Sequence, residues 1–297
     1  MLSKEHIEDG FSMSDFLKPT SKPAITLRKT NIAKRFKEGR GKGVGKFYKP
    51  FLEVRDVPSK GRCHRLPSIT HGRVVHLLSD LELAIFYQLD WDVSIFDIRE
   101  QFPLNPQDTK GLAEEYDIPH PEYQGVKQVM TTDFLVDRMV DGKTIKIALS
   151  GKYASDLDDP RTIEKQELER RYWHSKGVDW HIVTEKEIPA TLVRNIRWLL
   201  PHFHSFDLSE QDRRLVFEQF TYAFGTYPPA KIAQISALLD QANEEEPGTY
   251  LSWLRHLLAQ RAFIWDMGVL PHSKLTSEDL VVSDNWQHGE MLYVSSQ

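Results

Sequence analysis

The sequence predicts an α/β protein, a mixed sheet with flanking helices, followed by a mainly helical second domain. Three observations carry that reading. Strand-like segments at 93–98, 128–136 and 144–149 lie close together in the first half. A helix signal at Asp159-Pro160 follows them, and a further strand-like segment, Trp180 to Thr184, follows that helix. The order strand, strand, helix, strand suits a mixed sheet with helices packed on it. After Pro189 the pattern turns to successive helices.

Taken in order, residues 1 to about 30 mix Ser, Lys, Pro and Asp without periodicity and read as a flexible leader. Asn31 to Lys49, NIAKRFKEGRGKGVGKFYK, is basic, and Gly41, Gly43 and Gly45 oppose a long helix there. From Arg28 to Lys60, eleven Lys and Arg stand against three acids, a local balance of +8 on a chain whose formal net charge is -5. Such a segment is either a solvated arm or a means of neutralising phosphate, for which Lys34, Arg35, Lys37, Arg40, Lys42 and Lys46 are the candidates.

Leu81, Ile85 and Leu89 recur every four residues and predict a helix from about Ser79. Asp141-Gly142 is a two-residue hairpin signal between two strands. Asp159 as N-cap and Pro160 as first helical residue open a helix that stops near Gly177. Beyond a boundary near residue 190, TLVRNIRWLL, SEQDRRLVFEQFTYAF, PAKIAQISALLDQA and TYLSWLRHLLAQ read as helices, with AFIWDM as a small strand element. That is the composition of a winged-helix module. The expected organisation is a leader 1–30, a first domain 31–189 with its basic arm, a second domain 190–270, and a loosely ordered polar tail 271–297.

No run of about eighteen apolar residues suggests a membrane span, and the start MLSKEHIEDG lacks an apolar signal core. The single cysteine, Cys63, excludes an internal disulfide and a cysteine-built zinc site. An intracellular protein is expected. His76, His120 and His181 show no metal-ligand spacing, and Ser150-Gly151-Lys152 lacks the upstream glycine of a phosphate-binding loop, which argues against an ATPase.

The hairpin gives the sharpest chemical inference. If Val140 pairs with Lys143, Asp133 falls opposite Ser150, and Asp133, Ser150 and Lys152 share a face. A carboxylate can hold a hard divalent ion, and a lysine beside it can orient water and offset developing negative charge. That pairing suits phosphodiester hydrolysis, although a lone surface Asp and a solvated Lys would look the same in sequence. Glu82 is a third candidate, and Ser79-Asp80-Leu81-Glu82 is equally a capping box.

The segments IAKRFKEGRGKGVGK, VPSKGRCHR, GRVVHLLSDLELAIF, DIREQFPL, QVMTTDFLVD, DPRTIEKQELERRYW and VTEKEI resemble the TnsA family, from about Ile32 to Trp198. The resemblance implies a restriction-endonuclease-like N-terminal domain with a PD-(D/E)XK site and a winged-helix-like C-terminal domain. It implies a bacterial, cytoplasmic endonuclease that cuts the 5′ strands at transposon ends in DNA transposition. The implied cofactor is Mg²⁺, with Mn²⁺ able to replace it. The implied partners are transposon-end DNA, a TnsB-like transposase and a TnsC-like ATP-dependent regulator. On the family's motifs, Glu82, Asp133 and Lys152 take the catalytic positions, with Glu82, Asp133 and the Leu149 carbonyl as metal donors. The chain departs from the family where a glutamine is usual and Ser150 stands, and where Tyr153 replaces a proline after the lysine. A weakly active assembly subunit and a stand-alone restriction-type nuclease are the competing expectations.

Overall fold

A computed structural model describes residue 18 and residues 27–56, 62–204 and 208–287. Nearly all of the expected leader lies outside the described residues. Its end does not: the first described helix, α1, spans Lys29–Lys37. The described residues fall into two compact units, one ending at Ile188 and the other beginning at Pro189.

The first unit is built on a four-stranded sheet in the order β3-β6-β7-β8. Its strands are β3 (Ile95–Pro103), β6 (Thr131–Val140), β7 (Lys143–Gly151) and β8 (Asp179–Val183). Two small hairpins stand apart, β1 (His64–Pro67) with β2 (Val74–Leu77), and β4 (Glu122–Tyr123) with β5 (Val126–Lys127). The β6-β7 hairpin turns at Asp141 (φ 50) and Gly142 (φ 73), and both positive angles are what a two-residue turn of this hand requires. Val140 pairs with Lys143, as the sequence predicts, and the ladder runs to Phe134↔Leu149.

β7 and β8 are parallel, so the chain must cross over between them. The crossover is α4 (Pro160–Ser175), capped by Asp159, whose carboxylate accepts from the Arg161 and Thr162 amides. Alternation along β6 sends Leu135 and Phe134 to opposite faces. Leu135, Ala148 and Leu104 pack against Tyr172 and Trp173 of α4. On the other face Phe134 stacks on Phe86 of α2 (Asp80–Trp91), ring centroids 6.4 Å apart. The sheet therefore has a helix on each side. A further helix, α3 (Pro106–Glu115), opens on Asn105, which accepts from the Gln107 amide ahead of Pro106.

The second unit holds α5 (Ala190–Leu199), α6 (Glu210–Thr226), α7 (Ile232–Ala242) and α8 (Thr249–Ala259). Phe220, Ile235, Leu254 and Phe263 are fully buried in its core. Here the expected domain end at 270 needs correction. β9 (Phe263–Ile264) pairs with β10 (Val281–Val282), and α9 (Asp284–Gln287) follows. The expected loose tail is thus drawn into this unit as far as residue 287, because β9 needs a strand partner for its backbone. Among the described residues no helix is long and apolar enough to cross a membrane.

The basic arm divides in two. Arg35 and Arg40 are buried and both pair with Asp56, at 2.9 and 2.7 Å. Burial alone would raise the Asp56 pKa, but the Glu53 amide and these two guanidinium groups bring it below the usual carboxylate value. This corrects the expectation for Arg35 and Arg40, which hold the arm to the body rather than facing solvent. Lys34, Lys37, Lys42 and Lys46 are exposed.

Candidate active site

Asp133 lies one residue before the last paired position of the β6-β7 ladder. Its Oδ2 accepts from the Gly151 amide at 2.8 Å and from the Lys152 ammonium at 3.5 Å. Lys152 Nζ also donates to the Gly151 carbonyl at 3.0 Å. The hairpin thus delivers a carboxylate and a lysine to one point, as its register predicts.

Ser150 does not join them. Its buried hydroxyl donates to Glu169 Oε1 of α4 at 2.5 Å. Thr132 donates to the same oxygen at 2.7 Å and accepts from Trp173 Nε1. The expectation that Ser150 shares the face of Asp133 is corrected by this geometry. Thr132 and Asp133 are neighbours on β6, and it is Thr132 that shares the Glu169 carboxyl oxygen with Ser150, beyond the end of the regular ladder at Phe134↔Leu149. Leu149 pairs with Phe134 on one side and His181 on the other, inside the sheet. The Gly151 carbonyl accepts from the same Lys152 ammonium that contacts Asp133.

Glu82 occupies the first turn of α2 and is fully buried. Only the Ser79 half of the expected capping box forms. Ser79 caps the helix by accepting from the Glu82 amide at 3.1 Å. The carboxylate, however, accepts from the Leu78 amide (2.9 Å) and from the Ser79 hydroxyl (3.3 Å) rather than closing a capping box on the Ser79 amide. A third donor is Gln101 Nε2, at 3.0 Å.

Gln101 and Glu169 are the residues that sequence reasoning missed. Gln101 is buried on β3, between the pairs Glu100↔Phe134 and Phe102↔Thr132, so it lies across from Asp133. Its φ of 50 is rare for a non-glycine residue inside a strand and marks a held, strained position. Its side chain ties Glu82 of α2 to the strand beside Asp133. Only the unusual backbone reveals it, and sequence carries no sign of that. Glu169 was legible in principle, as an acid between Leu168 and Tyr172-Trp173 on the apolar stripe of α4. Burial raises its pKa, and Lys152 and the Ser150 hydroxyl oppose that shift.

Asp133 and the Gly151 carbonyl, which meet on the Lys152 ammonium, are oxygens of the kind a hard divalent cation takes, and Glu82 is linked through Gln101 to the strand beside Asp133. The Lys152 ammonium already rests on both oxygens, so the position attracts positive charge. No group of three or more His, Cys, Asp or Glu residues placed to hold a metal ion by themselves occurs among the described residues.

The family model described as TnsA-like endonuclease N terminal matches residues 92–185, which include Asp133, Ser150, Lys152 and Glu169. The model described as TnsA endonuclease C terminal matches residues 187–267. The chain is similar to the transposon Tn7 transposition protein TnsA of Escherichia coli, 45% identical over 241 residues, which cover 80% of this chain and 86% of that protein. A sheet-borne carboxylate and lysine, a helix on each face and these matches lead to one conclusion: the chain belongs to the TnsA family of transposition endonucleases, enzymes that hydrolyse DNA phosphodiester bonds.

Proposed function

We propose that this endonuclease uses Mg²⁺ to cut the 5′, non-transferred strands at transposon ends during cut-and-paste transposition, acting with a TnsB-like transposase and a TnsC-like regulator. The observation that carries the proposal is the Lys152 ammonium held between Asp133 Oδ2 and the Gly151 carbonyl. Asp133 and Glu82 would hold the metal, with the Leu149 or the Gly151 carbonyl as a third donor. When bound, the ion polarises the scissile phosphate and acidifies a water. Lys152 orients the attacking water and offsets charge building on the phosphate. Gln101 and the Leu78 amide hold the Glu82 carboxylate in place. Exposed Lys34, Lys37, Lys42 and Lys46 neutralise DNA phosphate. The second unit, helical with its β9-β10 pair, is proposed as the winged-helix-like module for partner or DNA contact.

Ser150 favours a second reading. Its hydroxyl is committed to Glu169, so it offers the metal less than the family's glutamine would, and a weakly active assembly subunit follows from that. One experiment separates the two. Transposon-end DNA labelled on each 5′ terminus is incubated with the chain and its partner transposase and regulator, with Mg²⁺, Mn²⁺ or EDTA. The proposal expects nicks in the non-transferred strand, beside any cut the partner transposase makes in the other strand, and their loss in EDTA. Transfer-strand cutting alone, with or without metal, rejects it and leaves the assembly role.

A further inference from the structure

The segment from Gly41 to Lys49 forms a locked loop that displays apolar side chains to solvent. Gly41 (φ 78) and Gly43 (φ 92) take backbone angles that side-chain-bearing residues avoid. A Cβ at Gly41 would lie 2.2 Å from Pro103 Cγ, and one at Gly43 would lie 2.3 Å from the Phe47 carbonyl oxygen. The loop is closed by Gly41 N–H to Lys49 O (2.6 Å) and Lys49 N–H to Lys42 O (3.0 Å). It is fastened to the body by the Gly45 amide on Asp97 Oδ1 (2.9 Å) and by Arg73 Nε on the Gly45 carbonyl (3.2 Å).

This fastening buries Tyr48 but leaves two apolar side chains of the loop outside. Phe47 is 72% exposed and Val44 61%. Lys42, Lys46 and Lys49 are exposed and form no ion pair among the described residues. Lys46 Nζ sits 5.3 Å from the centre of the Phe47 ring. A rigid loop that holds an aromatic ring and a valine among three uncompensated lysines matches a partner with an anionic rim and an apolar, stackable interior. Duplex DNA has both.

The loop also lies next to the site. Tyr48 donates to the Glu100 carbonyl (3.0 Å), and the Phe51 amide donates to the carbonyl of Gln101, the residue that holds Glu82. β3 is an edge strand, so nothing else in the sheet lies along that side.

We infer that the 41–49 loop is a DNA clamp in which Lys42, Lys46 and Lys49 hold phosphates and Phe47, flanked by Val44, inserts as an apolar wedge against the bases. The inference rests on DNA being cut at the Asp133 site. Inserted apolar side chains unstack and bend duplexes, and aromatic rings stack on bases regardless of sequence. A bend at this edge presents the backbone to the neighbouring site.

The test is fluorescence anisotropy of a short fluorescein-labelled duplex with the full chain, across a salt series. Phe47→Ala is expected to weaken binding about tenfold at every salt concentration without altering the salt slope. Phe47→Trp keeps the affinity. Lys42→Ala and Lys46→Ala each lower the slope by roughly one. Phe47→Ala should melt like the wild type, since its ring is largely exposed. Three results overturn the inference: unchanged affinity of Phe47→Ala, no duplex binding by the wild type at low salt, or a Phe47→Ala defect seen only when partner proteins are present, which makes the face a protein-docking surface. The reading of the catalytic site is tested separately, because Asp133→Ala should lose cutting and keep this affinity.

Discussion

Asp133 and Lys152 were legible because a two-residue turn fixes everything upstream of it. Asp141-Gly142 sets the register, and the register brings position 133 to the level of 150–152. Regular alternation would place Ser150 beside Asp133, but the β6-β7 ladder ends at Phe134↔Leu149 and Ser150 turns to Glu169. Ser150→Ala should therefore cost about 1–3 kcal/mol in urea denaturation, since it takes one hydroxyl donor from a buried carboxyl group. Gln101 was beyond reach of sequence, because its role depends on one left-handed backbone angle. Gln101→Ala is expected to raise the Mg²⁺ concentration for half-maximal cutting, and the Mn²⁺ dissociation constant measured by calorimetry, about tenfold. Gln101→Gly should show the same metal defect with a smaller loss of melting temperature, because glycine accepts φ near 50 without strain. Unchanged metal affinity in both variants would leave Gln101 a purely structural residue.

Elements in which a cap or tight turn accompanies a clear apolar period were read from sequence, and those without that period were not. Asp159-Pro160 and the leucine spacing after Ser79 gave α4 and α2 to within a few residues. α3 and the β1-β2 hairpin escaped, the first for want of a clear apolar stripe, the second because its strands are four residues each. The basic arm shows what composition cannot resolve. Eleven basic residues look alike in a charge count, yet Arg35 and Arg40 are buried on Asp56 while four of the named lysines face solvent. The two kinds should separate by mutation. Arg40→Ala is expected to destabilise the fold by about 2 kcal/mol, less than the loss of a sole ion partner because Arg35 remains on Asp56. Lys42→Ala should fall within about 0.5 kcal/mol of wild type. Chemical denaturation of both variants at one ionic strength decides the point.

For the molecule as a whole, a net charge of -5 concealed a nucleic-acid enzyme, because its positive charge is concentrated in one segment. Each unit also carries its own liabilities. In the second unit, burial beside the Arg255 guanidinium lowers the His202 pKa to about 4. The unfolded chain binds that proton near pH 6.5 and the folded chain does not. Stability from this group is complete above about pH 6.5 and is lost as pH falls toward 4. The second unit's denaturation midpoint should drop across that window in the wild type and drop less in His202→Gln. The claim on which the account turns is that one sheet-borne site cuts the DNA. It is tested most directly by single-turnover nicking of labelled transposon-end DNA in the reconstituted complex, comparing wild type with Asp133→Ala at saturating Mg²⁺. The account predicts non-transferred-strand nicking by the wild type, and none by Asp133→Ala despite intact complex assembly. Cutting by Asp133→Ala at the wild-type rate would contradict it.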